Sequence, residues 1–137
     1  HPFVHQRMAI RDLMFDEILK RFRGGAEFSA SDYVVALRKL GGLRQSYAEK
    51  SARYDAVLCP SAPILPPDAQ RLLSDDSYYV TENLLALRNT RIGNLMGLCA
   101  VTLPTGTPSC GLMLMAGPGE ENRLLRLSVA AETALKS

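Results

Sequence analysis

Apolar residues in the first part of the chain recur at helical intervals. Met8, Leu13, Met14, Ile18, Leu19 and Phe22 are interleaved with Asp12, Asp16, Glu17 and Lys20, a pattern that predicts one amphipathic helix ending at Gly24-Gly25. Ser29-Ala30-Ser31-Asp32 then has the form of a capping box: the Ser29 hydroxyl can accept from the Asp32 amide, and Phe28 is placed to staple against Tyr33. A second helix is expected from there to about Arg53, with Tyr33, Ala36, Leu37, Leu40, Leu43 and Tyr47 as its apolar stripe. It continues through Gly41-Gly42 at a cost of roughly 1 kcal/mol per glycine relative to alanine, a pair of the kind that permits close packing.

After Tyr54-Asp55 the period changes. Ala56-Val57-Leu58-Cys59 is a short continuous apolar run closed by Pro60, which reads as a buried strand, and Pro63, Pro66 and Pro67 then rule out a regular helix or a central strand. A long loop is expected through Ser74-Asp75-Asp76-Ser77, and loops of that length tend to be functional or to face a partner. Thr81 is the expected cap of a helix carrying Leu84, Leu85, Leu87 and Ile92, ending near Gly93 or Gly97.

The remainder reads strand, turn, strand, helix. Ala100-Val101-Thr102-Leu103 and Gly111-Leu112-Met113-Leu114-Met115-Ala116 are apolar runs of strand length that can pair as neighbours. Glu120-Glu121-Asn122 opens a last helix with acid at its positive end, Leu124, Leu127, Ala131 and Leu135 on one stripe, and Lys136 at its negative end. Strands apolar on both faces need layers above and below, whereas three short ones make only a partial sheet. The pattern therefore points to a fragment whose sheet is completed by other sequence.

Composition narrows the class. The 137 residues are 47% hydrophobic and 22% charged, within the range of one globular domain. Sixteen Lys plus Arg against fourteen Asp plus Glu leave a net charge of +2, too balanced for the concentrated basic footprint of a nucleic-acid binder. No apolar run approaches the roughly 20 residues that cross a bilayer, and the first residues lack a signal-peptide core, so a cytoplasmic protein is expected. Cys59, Cys99 and Cys110 are odd in number and widely spaced, which fits neither a disulfide framework nor a zinc site. They read as small buried side chains in a reducing compartment, remote in sequence from His1 and His5, the two histidines that a nucleophilic thiol could have used as its base.

Four ordered segments resemble the amidase signature family. Gly93-Asn94-Leu95-Met96-Gly97-Leu98-Cys99-Ala100-Val101-Thr102-Leu103-Pro104-Thr105-Gly106 is similar to the family's asparagine-leucine-x-glycine-leucine-proline-alanine segment. Ser29-Ala30-Ser31-Asp32-Tyr33 resembles its serine-alanine-x-x-tyrosine helix start, and Tyr54 to Pro63 its aspartate-x-x-x-x-proline-threonine-x-proline strand. Gly111 to Glu121 resembles its glycine-leucine-x-leucine-x-glycine-x-proline-x-acid ending. The sequence departs from the pattern at Cys99, where the family has proline, at Ala116, where it has glycine, and in a short connection between Gly106 and Gly111. The resemblance runs from about Ile18 onward and falls on the C-terminal part of much longer proteins. The fold it implies is α/β: the C-terminal portion of an α/β/α sandwich, helices plus a small mixed sheet, with residues 1–137 one fragment made of a helical pair over 1–53 and strands, Pro-rich loop and helices over 54–137.

Enzymes of that family cleave carboxamides with a serine nucleophile, a second serine and a lysine base, and stabilise the oxyanion with glycine-rich backbone amides. Their glycine-glycine-serine-serine-glycine-glycine run has no counterpart here, since the only Gly-Gly pairs are Gly24-Gly25 and Gly41-Gly42 and no two serines are adjacent. No catalytic residue is therefore assigned, and Lys20, Lys39, Lys50 and Lys136 read as solvated helix residues. The resemblance instead implies one wall of a substrate funnel. Arg21 falls near a pocket arginine of some members, and Arg88, Asn89, Thr90, Arg91 and Asn94 lead into the Gly-Leu-Cys-Ala segment, where an arginine could hold a substrate carboxylate at two points. The plainer alternatives are a helix-end cation at Arg21, and surface pairs of Arg88 or Arg91 with Glu82 or Asp76. Ser61 reads as a structural hydroxyl at a turn.

The expectation is thus the C-terminal region of an amidase, inactive when isolated. Its partners would be the missing N-terminal part of the same protein and a small amide substrate, with a homo-oligomer allowed, no direct nucleic acid, no membrane, no cofactor and no metal. The glutamine-hydrolysing subunit of a tRNA-dependent amidotransferase is the alternative within the family. A non-catalytic helix-rich interaction module is the alternative outside it.

Overall fold

In the computed structural model the described residues are 14–136, so His1, His5 and the part of the first helical pattern from Met8 to Leu13 lie outside them. The elements are α1 (Asp16–Gly24), a 3-10 turn (Gly25–Glu27), α2 (Ala30–Ser51), β1 (Val57–Pro60), α3 (Ala69–Ser74), α4 (Asp76–Ala86), α5 (Arg88–Met96), β2 (Cys99–Pro104), β3 (Gly111–Ala116) and α6 (Glu121–Leu135). The fold is mixed α/β, and the chain divides into two compact units between Lys39 and Leu40, inside α2.

In the N-terminal unit, α1 has Asp16 and Glu17 in its first turn and Arg21 and Arg23 in its last, each sign at the helix end that favours it. The capping box forms reciprocally. The Asp32 amide donates to Ser29 Oγ at 3.2 Å, and the Ser29 amide donates to Asp32 Oδ2 at 2.9 Å. Hydrogen bonds from the Ser29 hydroxyl and then its amide hold the Asp32 carboxyl below the usual carboxylate range. Phe28 and Tyr33, the expected staple, are both exposed, as are Phe22 and Leu37 of the predicted stripes.

In the C-terminal unit three strands run in the order β1-β3-β2, and both pairings are antiparallel. β3 lies in the centre, with Leu114 opposite Leu58 on one side and Val101 on the other. Directly paired residues share a face, so Leu103, Leu112, Leu114, Val101, Cys99 and Ala116 all point one way. There α6 covers them with Leu124, 2% exposed, and with Leu127 and Ala131. Met113 and Met115 point the other way, and each is 3% exposed. Gly93 of α5 reaches that second face: it is buried, and a Cβ built on it would lie 3.4 Å from Met115 Sδ. A single small sheet with helices on both faces is what the alternation of buried positions requires.

The long loop expected after Pro60 is shorter than the sequence suggested, because α3 and α4 occupy most of its second half. Asp68 accepts from the Arg71 amide at 2.7 Å and Asp75 accepts from the Tyr78 amide at 3.0 Å, so each aspartate caps a helix where a loop was expected. Thr81 is not a cap. It sits inside α4 and its hydroxyl donates back to the Ser77 carbonyl at 2.9 Å. The single helix expected from Thr81 onward is two, broken at Leu87, which closes α4 and opens α5. Gly41 and Gly42 have open space where their Cβ atoms would be, so no close packing among the described residues explains them.

Candidate functional site

The residues singled out for substrate contact gather mainly on one short helix. Gly97, at φ 74°, takes the left-handed conformation that ends α5, and the Leu98 amide donates back to the Gly93 carbonyl at 2.9 Å. Arg88, Thr90, Arg91 and Asn94 all lie on α5; Arg88, Arg91 and Asn94 are exposed, whereas Thr90 is half-buried and its hydroxyl donates to the Leu87 carbonyl at 3.2 Å. Arg21 belongs to the N-terminal unit, in the last turn of α1. Neither Arg88 nor Arg91 forms an ion pair among the described residues, so the surface pairs with Glu82 or Asp76 are not formed.

Asn89 is the residue that ties this helix to the sheet. Its Nδ2 donates to the Pro60 carbonyl at 2.7 Å, at the end of β1. The sequence placed Asn89 in the run from Arg88 to Asn94 that leads into the Gly-Leu-Cys-Ala segment, but gave no sign of its bond to Pro60. Beside it, the Ser61 amide donates to the Gly111 carbonyl at 2.9 Å, and the Ser61 hydroxyl donates to Thr102 Oγ1 at 3.1 Å. Ser61 thus closes the turn after β1 onto the other two strands, its hydroxyl meeting the Thr102 hydroxyl rather than a turn amide.

The other end of α5 opens on a cavity of about 610 Å³ whose lining includes Arg44, Tyr47, Tyr54, Asp55, Met96 and Arg123. Its charged groups are engaged. Arg44 Nε donates to the Leu95 carbonyl at 2.7 Å, placing a cation on the negative end of α5, and Arg123 pairs with Asp55. Nothing in the sequence marked Arg44. Burial, and secondarily the Cys59 thiol, push the Tyr47 phenol up, while burial pushes Cys59 itself up. A thiol so raised stays protonated at neutral pH and is a poor nucleophile. All three cysteines are free and half-buried, and no cluster of His, Cys, Asp or Glu among the described residues could hold a metal ion.

The sequence of this α/β chain, which has an αL glycine before β2 and Gly117-Pro118-Gly119 just after β3, matches the Amidase family over residues 6–125. The chain belongs to that family. It is 32% identical over 122 residues to 2-amino-5-chloromuconic acid deaminase of Comamonas testosteroni, covering 84% of this chain and 26% of that protein. It is 30% identical over 112 residues to fatty acid amide hydrolase of Oryza sativa subsp. indica, covering 77% and 18% respectively. It is 31% identical over 101 residues to a glutamyl-tRNA(Gln) amidotransferase subunit of Saccharolobus solfataricus, covering 72% and 20%. The chain therefore spans about a quarter or less of the length of these relatives. No solved structure matches it.

Proposed function

We propose that residues 1–137 are the C-terminal piece of one larger amidase-type hydrolase domain, where they form scaffold and one wall of the substrate funnel. The reaction is hydrolysis of a carboxamide: the C–N bond breaks, water supplies hydroxyl to the acyl carbon and hydrogen to the nitrogen, and the amine or ammonia leaves. The serines and lysine that carry it lie in sequence other than this chain. One observation carries the reading: the family match covers nearly all of these residues, yet the sequence holds no paired serines in a glycine-rich run. Large apolar side chains left exposed in the C-terminal unit, including Leu58 at 59% and Leu65 at 67%, support a surface that other sequence covers.

In this reading Arg21, Arg88, Thr90, Arg91 and Asn94 line the substrate side of the wall. The protein works in the cytoplasm without a cofactor; no helix among the described residues is long and apolar enough to cross a membrane. The test compares this chain with the product of its complete reading frame on a panel of amides, reading ammonia. The complete protein is expected to release ammonia and residues 1–137 alone are not. Release by the isolated chain above buffer would overturn the proposal.

A second reading, the glutamine-hydrolysing subunit of a tRNA-dependent amidotransferase, is favoured by the similarity to glutamyl-tRNA(Gln) amidotransferase subunits of Saccharolobus solfataricus and Lachnospira eligens. It requires partner proteins. Glutamine-dependent amidation of a glutamyl-tRNA by the complete protein together with those partners would establish it, and ammonia release from simple amides without them would favour the first.

A further inference from the structure

The two sides of α5 have opposite chemistry. At 100° per residue, Asn89, Gly93 and Met96 fall on one stripe, Arg91 and Asn94 on the stripe opposite, and Arg88 on the flank between the two, about 60° from Arg91. The first stripe faces the sheet: Asn89 is bonded to the Pro60 carbonyl, Gly93 is buried beside Met115, and Met96 is half-buried. The helix is therefore held against rotation, with Arg91 pointing outward and Arg88 on the adjoining flank, both guanidinium groups exposed and without an ion pair among the described residues.

Two cations three residues apart on a helix repel one another unless an anion lies between them. Leu95 falls on the same outward stripe and Ile92 beside it, each 46% exposed, so this surface combines an arginine pair with apolar area suited to being covered. Covering unpaired guanidinium groups is costly unless the cover brings a negative charge, and the guanidinium fork matches a carboxylate at two points.

We infer that Arg88 and Arg91 together receive a carboxylate carried by the substrate, so that the amide acted on is an acidic one, with Asn89 as the positioning residue that aims the pair. This rests on the amidase reading above. A carboxylate from another part of the parent protein is the rival occupant, and it would leave the enzyme indifferent to substrate charge.

The experiment uses the complete protein and two amides of matched length, succinamate and butyramide, with ammonia as the readout. The wild type is expected to favour succinamate in kcat/KM by about tenfold or more, the scale of one charge-assisted contact. Arg88→Gln with Arg91→Gln should abolish that preference through a higher KM for succinamate rather than a lower kcat. Arg91→Lys, which keeps charge but loses the fork, should weaken it, and Arg126→Gln on the exposed side of α6 should leave it intact. Equal kcat/KM for the two amides in the wild type overturns the inference while leaving the amidase reading standing, and needs no variant to fold. A preference that survives the double substitution overturns it as well. No ammonia from either amide, or from any other carboxamide, overturns the amidase reading and this inference with it.

Discussion

Ser61 and Gly111 approach so closely that a side chain at 111 has no room. The Ser61 amide donates to the Gly111 carbonyl at 2.9 Å, and a Cβ on Gly111 would stand 2.7 Å from Ser61 Oγ and 2.9 Å from Thr102 Cγ2. Gly111→Ala must therefore displace both the Ser61 hydroxyl and the Thr102 methyl. The expected loss is about 1–3 kcal/mol, the usual cost of overpacking. Urea denaturation of the two proteins measures it, and coincident midpoints would contradict it. Combining Gly111→Ala with Ser61→Ala should recover only part of the loss, because the Thr102 methyl remains.

Gly41 and Gly42 give the opposite expectation. Nothing lies within 4 Å of either hypothetical Cβ, and both glycines are interior to α2. Replacing each with alanine should stabilise the chain by about 1 kcal/mol, through helix propensity alone. A rise in melting temperature for residues 1–137 is the result to look for. If the same substitutions lower the melting temperature of a longer parent, the glycines make room there for another segment.

The core of the C-terminal unit rests on Leu124. It is 2% exposed and packs from α6 onto the strand face that includes Leu103 and Leu114. Leu124→Ala should cost about 2–5 kcal/mol, whereas Leu125→Ala, at a position 55% exposed, should change stability by no more than about 0.5 kcal/mol. Equal effects at the two positions would mean that α6 does not pack by this face.

Acid should act on the junction between α3 and α4. The Ser77 hydroxyl, the Tyr78 amide and Arg71 all favour the charged Asp75 carboxylate, lowering its pKa from 3.8 to about 2. A depressed folded value means that the cap contributes fully above pH 3.8 and that its contribution is lost as pH falls toward 2. Asp75→Asn keeps an acceptor but cannot titrate, so its helix content should vary less with acid over that window. Circular dichroism from pH 5 to pH 2 compares the two, and identical acid profiles would show that Asp75 carries none of the dependence.

The strands were legible because each is a short apolar run bounded by proline or glycine, and Pro60, Pro104 and Gly111 fall at their observed ends. The capping box at Ser29 was legible for a similar reason, since it depends on residues only three apart. The stretch from Asp68 to Ser77 was not, because aspartate and serine serve loops and helix caps alike and only the folded backbone shows which. The break at Leu87 carries no glycine or proline to announce it. For the candidate site, the resemblance drew attention to the segment Arg88 to Asn94, but the sequence held no information on its orientation. That depends on Asn89 meeting a carbonyl at Pro60, far away in the chain.

The central place of β3 has a consequence for biosynthesis. A ribosome makes β1 first, and the stretch Val57–Pro60 then has no strand partner, among the described residues, until Gly111–Ala116 has left the exit tunnel. β2 and β3 are near neighbours in sequence and can zip together at once, whereas β1 must wait and be recruited last. During that interval its backbone is open to any other extended segment nearby, so the order of translation makes this strand the sheet's most vulnerable member.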